Sequence, residues 1–215
     1  MKLKYNENIE IKTFNTLNDI EDPISIYLQP GNIGLSGGST YLELLRILSK
    51  KDIDLKDINF FPVDERIIDF NSNESNWGNT YRNFLSKFNT TIENYFQDSK
   101  EYNKVLEGIK FDTIFLGVGD DGHTASLFDS KAVYRNDNLN AVETISPKAP
   151  FKRISLTGNC IKQAKNVVII ILGNGKKEIF NKILENTDLP ITILLRELNN
   201  GVIYVQKSLV GVKHE

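Results

Sequence analysis

Short apolar runs separated by amphipathic segments predict an α/β fold, with a mostly parallel open sheet and helices on both faces. Residues 111–118 and 167–172 are rich in β-branched side chains, which is typical of strands covered on both faces. Segments with apolar residues at helical spacing separate such runs. We expect a Rossmann-like, doubly wound sheet with small edge strands. No repeat or linker interrupts the pattern, so residues 1–215 are expected to form one α/β domain.

The remaining predicted elements follow the same two periodicities. Further strands are expected at 9–14 (an edge strand), 33–36, 58–63, 141–145, 153–157 and 201–206. The first helix is expected at 24–29, with its start at Asp22-Pro23, and the second begins after a cap at Ser39 or Thr40. Further helices are expected at 76–88, within 90–110, at 159–165 and at 176–185, and a short helix is expected to open at 124–128.

Composition excludes several classes of function. The net charge of −2 supplies no basic field for nucleic acid or for an anionic membrane surface. Cys160 is the only cysteine, which excludes an internal disulfide and a multi-cysteine metal site. The N-terminus lacks a signal-like apolar segment, and no apolar run approaches the ~20 residues that cross a bilayer. We expect a cytoplasmic protein that is monomeric and binds a small molecule.

The stretch from Phe111 to Phe128 carries the strongest functional signal. An apolar run leads into Gly119-Asp120-Asp121-Gly122 and then His123, where open α/β sheets place their ligands. The only other histidine, His214, is the penultimate residue. His123 is therefore the candidate for imidazole chemistry. The alternative is a turn histidine that bonds to Asp121 for structure alone.

A glycine-rich segment between a predicted strand and helix is the candidate anion site. Gly37 and Gly38 let backbone N–H groups approach an anion, and Ser39 and Thr40 add hydroxyl donors at the helix start. The segment matches no nucleotide-binding pattern, so a nucleotide is not implied. The alternative is a tight turn with a helix cap.

Charged residues near element ends complete the candidate set. Asp64, Glu65 and Arg66 follow an apolar run, and Arg suits bidentate contact with phosphate or carboxylate. Lys148, Arg153 and Lys176 stand near strand or helix starts. Without further information, the first group suggests a surface salt-bridge cluster and each of the other cations a solvated charge.

The order of these motifs resembles that of the 6-phosphogluconolactonase family. GVGDDGHTASLF is similar to the family signature, and three further blocks match in order: residues 35–40, Asp64-Glu65-Arg66 with Ser75-Asn76, and Pro147-Lys148 with 153–157. A weaker block is 173–176. The resemblance implies that the 37–40 loop binds a sugar phosphate, that Arg66 contacts substrate, that Asp64 faces the pocket, and that Lys148, Arg153 and Lys176 are candidates at its rim.

The resemblance implies hydrolysis of 6-phospho-D-glucono-1,5-lactone to 6-phosphogluconate, a step of the oxidative pentose phosphate pathway. His123 is the expected general base on water, Asp121 could fix its tautomer, and Asp64 is a third catalytic candidate. Backbone N–H groups or Arg66 could stabilise the oxyanion. No metal or other cofactor is expected. A covalent triad using Ser36, Ser39 or Ser126 competes, although none lies in a G-x-S-x-G motif.

Two other functions remain open. Glucosamine-6-phosphate isomerase/deaminases share the fold and a similar turn, but they carry a glutamate five residues after the histidine, where this chain has Phe128. They also typically have an aromatic residue at the position of Arg66. The second alternative is a non-catalytic phosphosugar-binding protein. Asp129 departs from the lactonase pattern, which usually has proline there.

Overall fold

The computed structural model describes residues 3–88, 96–134 and 138–211 of this chain. Strands within these ranges form two sheets. Their bounds are β1 Leu3–Lys4, β2 Ile9–Phe14, β3 Gly31–Leu35, β4 Ile58–Pro62, β5 Asp64–Arg66, β6 Thr113–Gly117, β7 Ala141–Ile145, β8 Lys152–Leu156, β9 Asn166–Ile171 and β10 Gly201–Gln206.

The larger sheet has the strand order β1-β2-β10-β9-β6-β3-β4. Its neighbouring strands are all parallel except β1, which pairs antiparallel with β2. The prediction of a mostly parallel sheet is therefore confirmed. The prediction that residues 9–14 form an edge strand is wrong, because the two-residue β1 lies outside β2.

The order in which successive strands are added to the larger sheet reverses at β3. From β3 the chain moves outward to β4, and it then returns to β6 on the other side of β3. The carboxyl ends of β3 and β6 therefore diverge into loops that leave in opposite directions. Such a switch point opens a crevice, and open α/β sheets bind ligands there.

Helices cover both faces of the larger sheet. Their bounds are α1 Glu21–Ser25, α2 Ser39–Leu48, α3 Asn76–Asn83, α4 Ser99–Val105, α5 Ser130–Val133, α6 Gly158–Lys162, α7 Lys177–Leu184 and α8 Pro190–Glu197. Alternate residues of β9 enter two cores. Val167, Ile169 and Ile171 pack with α4 and α6–α8, and Val168 and Ile170 pack with α1–α3. None of the helices in the described ranges is long and apolar enough to cross a bilayer.

The prediction for residues 64–66, which belong to the smaller sheet, is wrong. Residues 64–66 were expected at the end of a strand spanning 58–63, but β4 ends at Pro62 and residues 64–66 form β5. β5 pairs antiparallel with β8, which pairs antiparallel with β7. Arg66 consequently lies opposite Arg153. The antiparallel sheet thus brings two motifs that are far apart in sequence to one place.

Helix starts and ends differ from the sequence predictions at several points. The first helix spans Glu21–Ser25 instead of 24–29, because a 3₁₀ turn at Leu17–Ile20 precedes it. The cap expected at Ser39 or Thr40 is wrong, since Gly38 is the N-cap and Ser39 already has helical backbone.

The helix expected at 76–88 is interrupted. α3 ends at Asn83, Phe84 leaves helical geometry with φ −137°, and a 3₁₀ turn follows at Leu85–Phe88. The short helix expected at 124–128 does not form, because Thr124 bridges Leu127 and Ala125 has φ +51°.

Two further helices to compare with the sequence predictions are α4 and α8. The helix expected within 90–110 is α4, although residues 89–95 lie outside the described ranges, as does His214. α8 was not predicted. Pro190 stands at its N-terminus, which suits a residue without an N–H donor.

Candidate active site

Two adjoining cavities open at the carboxyl edge of the parallel strands, beside the switch point. The inner cavity, of about 240 Å³, lies beside the start of α2 and is lined by Gly38, Ser39 and Thr40. The outer cavity, of about 480 Å³, is lined by the 146–149 segment and Arg153. Both cavities share the following lining residues: Asp64, Arg66, Gly119, His123, Ala125 and Lys176. The boundary between them is thus built from β5, from the segment between β6 and α5, and from Lys176.

His123 and Asp121 form a hydrogen-bonded pair in the turn after β6. Asp121 Oδ1 contacts Nδ1 of the imidazole and also accepts the His123 backbone N–H at 3.2 Å. Burial acts to raise the pKa of Asp121, but hydrogen bonds and charge attraction from His123 outweigh it and hold that pKa below its ordinary value. A carboxylate on Nδ1 favours the tautomer whose proton lies there. Nε2 is then the ring nitrogen free to accept a proton.

The turn that carries this pair requires unusual backbone geometry. Gly119 N–H donates to the His123 carbonyl at 2.8 Å, and Gly122 has φ +84°. A Cβ added to Gly119 would lie 2.1 Å from His123 Nδ1. Ala125 has φ +51° although it is not glycine. Strained backbone of this kind concentrates at functional sites, where the surrounding structure enforces it.

Lys176 holds the same turn from the other side. Its Nζ donates to the Val118 carbonyl at 2.7 Å and forms an ion pair with Asp120 at 2.6 Å. The sequence predicted Lys176 as a substrate-binding cation. The structure places it on both cavities, with two of its three donor hydrogens directed at the protein.

Asp64 is held by two neighbours in an orientation that faces both cavities. Ser126 Oγ donates to its Oδ2 at 2.7 Å, and Asn76 Nδ2 approaches the same oxygen at 3.4 Å. The Ser126 hydroxyl is therefore directed at Asp64. Ser36 Oγ donates to the Phe115 carbonyl at 2.8 Å. Neither serine is hydrogen-bonded to His123, as the nucleophile of a Ser-His-Asp triad requires.

The N-terminus of α2 offers unfilled donors to the inner cavity. Its N-cap, Gly38, provides no side chain, so no side-chain oxygen caps the first N–H groups of this ten-residue helix. Ser39 and Thr40 follow on the cavity wall. Gly37 is buried against Asn76, because a Cβ added to Gly37 would lie 2.4 Å from Asn76 Cβ. Gly38, Ser39 and Thr40 are thus placed for an anion, and Gly37 is placed for packing.

Two arginines lie side by side at the outer cavity. Arg66 Nη1 donates to the Glu74 carbonyl at 2.5 Å. Arg153 is 6% exposed, and its Nη1 atom is buried without a hydrogen-bond partner. Burial lowers the pKa of Arg153, and the Arg66 charge acts in the same direction. A buried guanidinium donor with no partner in the described part of the chain points to an anion from outside. Lys148 lies exposed on the rim of the same cavity.

Sequence reasoning missed two contributions to this site. Asn76 was noted only as part of the Ser75-Asn76 block, with no contact assigned to it. Ser75 caps α3, accepting from Gly78 N at 2.9 Å, but Asn76 lines the inner cavity. Phe128 was used only to separate related families, whereas its ring lies 4.9 Å from the His123 ring. Neither contact leaves a signal in a single sequence. Among the described residues, no group of three or more His, Cys, Asp or Glu side chains is arranged to hold a metal ion.

The fold and these cavities define an α/β protein whose switch-point site suits a small anionic ligand. A family model described as glucosamine-6-phosphate isomerases/6-phosphogluconolactonase matches residues 28–203. The chain belongs to this family.

Curated relatives agree with the family model. The 6-phosphogluconolactonase of Haemophilus influenzae is 30% identical over 220 residues, which cover 91% of this chain and 94% of that protein. That of Chlamydia pneumoniae is 34% identical over 165 residues, covering 70% of this chain. The matches to relatives from Caenorhabditis elegans and C. pneumoniae span 65% and 64% of those proteins' lengths.

Solved structures show the same fold. The crystal structure of the devB protein superposes with a TM-score of 0.82 at 29% identity, covering 94% of this chain and 98% of that chain. The 6-phosphogluconolactonase of Thermotoga maritima superposes with a TM-score of 0.80 at 23% identity, covering 93% of this chain and 99% of that chain. At that identity the second likeness concerns the fold alone.

Proposed function

We propose that this protein hydrolyses 6-phospho-D-glucono-1,5-lactone to 6-phosphogluconate, without a metal, with His123 as general base. The observation that carries the proposal is the His123–Asp121 pair on the wall of a cavity that Arg153 also lines, with an Nη1 atom that is buried and has no hydrogen-bond partner among the described residues. Family membership and the names of the curated relatives support the same reaction. We also propose that the protein is cytoplasmic and monomeric, as its sequence predicts.

The reaction requires a nucleophilic water and a returned proton. His123 Nε2 takes a proton from a water molecule as the oxygen of that water attacks C1 of the lactone. The tetrahedral intermediate then collapses, the bond from C1 to the ring oxygen breaks, and the imidazolium returns its proton to that oxygen. Asp121 stabilises the imidazolium through Nδ1. General base catalysis of this kind contributes about 10²–10⁴-fold.

Two anion sites on either side of His123 suit the two charges of the reaction. The phosphate of the substrate binds at the N-terminus of α2, where Gly38, Ser39 and Thr40 line the inner cavity. The charge that develops on the oxygen at C1 lies toward Arg66 and Arg153, on the outer cavity. Anchoring the phosphate at a distance from C1 orients the lactone for attack.

We expect Arg153→Met to lower kcat/KM for the lactone roughly 10- to 100-fold, because a hydrogen bond to a charged group contributes about 1.5–3 kcal/mol. Inhibition by inorganic phosphate should stay unchanged, because phosphate binds at α2. Arg46→Met is the matched control, since Arg46 is an exposed arginine that contacts Asn83 and lines neither cavity. A variant with normal kcat/KM would remove Arg153 from the reaction.

Two substrates offered separately test the function itself. We expect purified protein to release acid from freshly prepared 6-phosphogluconolactone faster than the spontaneous rate, measured by pH-stat, and to release no ammonia from glucosamine 6-phosphate. Phe128 occupies the place beside His123 where the deaminases carry a glutamate, which favours this outcome. Ammonia release would instead establish the deaminase. Activity on neither substrate, with tight 6-phosphogluconate binding, would establish a phosphosugar-binding protein.

A further inference from the structure

Glu65 is a buried carboxylate that the proposed reaction does not use. It lies in the middle of β5 and is 3% exposed. Its Oε1 accepts from the backbone N–H groups of Arg66 at 2.6 Å and Asn76 at 2.8 Å. Its Oε2 accepts from Ser75 Oγ at 2.9 Å and Trp77 N at 2.7 Å. One side chain thus joins β5 to the first turn of α3.

Burial removes the Glu65 carboxylate from water, which destabilises its charged form. Burial raises the pKa of Glu65, although the bonds from Trp77, Arg66, Asn76 and Ser75 act to lower it. The helix does not depend on this group alone for a cap, because Ser75 Oγ already accepts the Gly78 N–H. Capping of α3 therefore does not by itself account for a buried carboxylate here.

The segment that Glu65 holds carries contacts to the residues on either side of it in β5. Asn76 Nδ2 donates to the Asp64 backbone carbonyl at 3.2 Å and approaches Asp64 Oδ2 at 3.4 Å. Arg66 Nη1 donates to the Glu74 carbonyl at 2.5 Å. Asp64 and Arg66 both line the two cavities. Their side chains are thus oriented by the same short segment, residues 74–76.

Gly37 belongs to the same arrangement. A Cβ added to it would lie 2.4 Å from Asn76 Cβ and 2.8 Å from Asn76 Cα. The loop after β3 therefore packs directly on the residue whose backbone Glu65 holds. Contacts on two sides leave Asn76 little freedom to move, which is the condition for a precise orientation of Asp64.

We propose that Glu65 is a positioning residue, which fixes residues 74–76 and through them the orientation of Asp64 and Arg66 in the cavities. The kinetic test of this proposal rests on the proposed function, whereas the crystallographic test does not. Replacing one carboxylate oxygen of Glu65 removes identified hydrogen bonds between β5 and α3. In Glu65→Gln the amide NH₂ group replaces one oxygen that accepts from two donors, so at least one backbone N–H loses its acceptor.

The experiment compares Glu65→Gln with Asp112→Asn. Asp112 is a carboxylate that likewise accepts a backbone N–H, from Asn32 at 2.9 Å, and lies at the amino end of β6, away from both cavities. We expect Glu65→Gln to lower kcat/KM for the lactone roughly 10- to 100-fold, with KM raised and kcat reduced, as small misplacements of site groups do. Asp112→Asn should keep both constants. Partial unfolding would lower apparent kcat and leave KM unchanged, so the rise in KM separates the two causes.

A double-mutant cycle and a crystal structure complete the test. If Glu65 acts through Asn76, adding Glu65→Gln to Asn76→Ala should change kcat/KM much less than it does alone. The crystal structure of Glu65→Gln should show the Asp64 and Arg66 side chains displaced and the rest of the sheet unchanged. Unmoved Asp64 and Arg66 side chains would overturn the proposal, and additive kinetics would overturn the route through Asn76 to Asp64. Should the wild-type protein lack lactonase activity, the proposed function fails, and the crystal structure still decides the role of Glu65.

Discussion

Replacing His123 by alanine is expected to lower kcat for lactone hydrolysis by roughly 10²- to 10⁴-fold, the range that general base catalysis supplies. No other imidazole occurs in the described part of the chain, and the Nδ1 contact with Asp121 leaves Nε2 free for the water. Binding of 6-phosphogluconate should be nearly unchanged, because its anions are held by the α2 N-terminus and by the arginines. Rates from a pH-stat and affinity from calorimetry measure the two effects separately.

His123→Gln is the companion variant in this test. Glutamine retains a polar side chain of similar reach but cannot act as a base near neutral pH, so its kcat should fall as far as that of the alanine variant. The spontaneous hydrolysis of the lactone must be subtracted at each pH. Turnover close to the wild-type value in either variant would remove His123 from the mechanism and leave Asp64 as the candidate base.

Gly119→Ala is expected to lower kcat by about 10²-fold, because misplacing a catalytic group by about 1 Å has an effect of that size. The added Cβ would lie 2.1 Å from His123 Nδ1 and 2.6 Å from Asp121 Oδ1. No real Cβ lies so close to such atoms, so the imidazole and the carboxylate must both move from their present positions. Steady-state kinetics should show the fall in kcat, and thermal unfolding should show a folded protein.

Gly211→Ala provides the control for this substitution. Apart from its chain neighbours, no described residue has an atom within 4 Å of a Cβ added at that position, so its kinetics should match those of the wild type. If Gly119→Ala also retained normal kcat, the hydrogen bond between His123 and Asp121 would be dispensable. The pair would then be a structural feature of the turn, which was the alternative interpretation of the sequence.

Local sequence patterns predicted the parallel sheet well, because apolar periodicity reports which backbone is covered on both faces. The bounds of residues 9–14 and 201–206 match β2 and β10 of that sheet, and those of 141–145 match β7 of the antiparallel sheet. The pattern failed where pairing comes from distant parts of the chain. Asp64-Glu65-Arg66 carries three charges and no strand period, and it becomes a strand only because β8 lies beside it.

The candidate site was predicted in part for the same reason. Gly38, Arg66 and His123 come from separate motifs, and the switch point brings them to one cavity. The contacts that orient them were not predictable, since Asn76 stands at a helix start where asparagine is common for local reasons. Lys176 was expected to bind substrate, and only the coordinates show that it also holds Val118 and Asp120.

Because Arg153 Nη1 is buried without a hydrogen-bond partner among the described residues, we expect the outer cavity to bind small carboxylates from solution. Acetate or citrate at millimolar concentration is expected to compete with the lactone for Arg153, as phosphate is at the start of α2, and the apparent KM would then depend on the buffer. Kinetic work on this protein therefore belongs in zwitterionic buffers with chloride as the counterion.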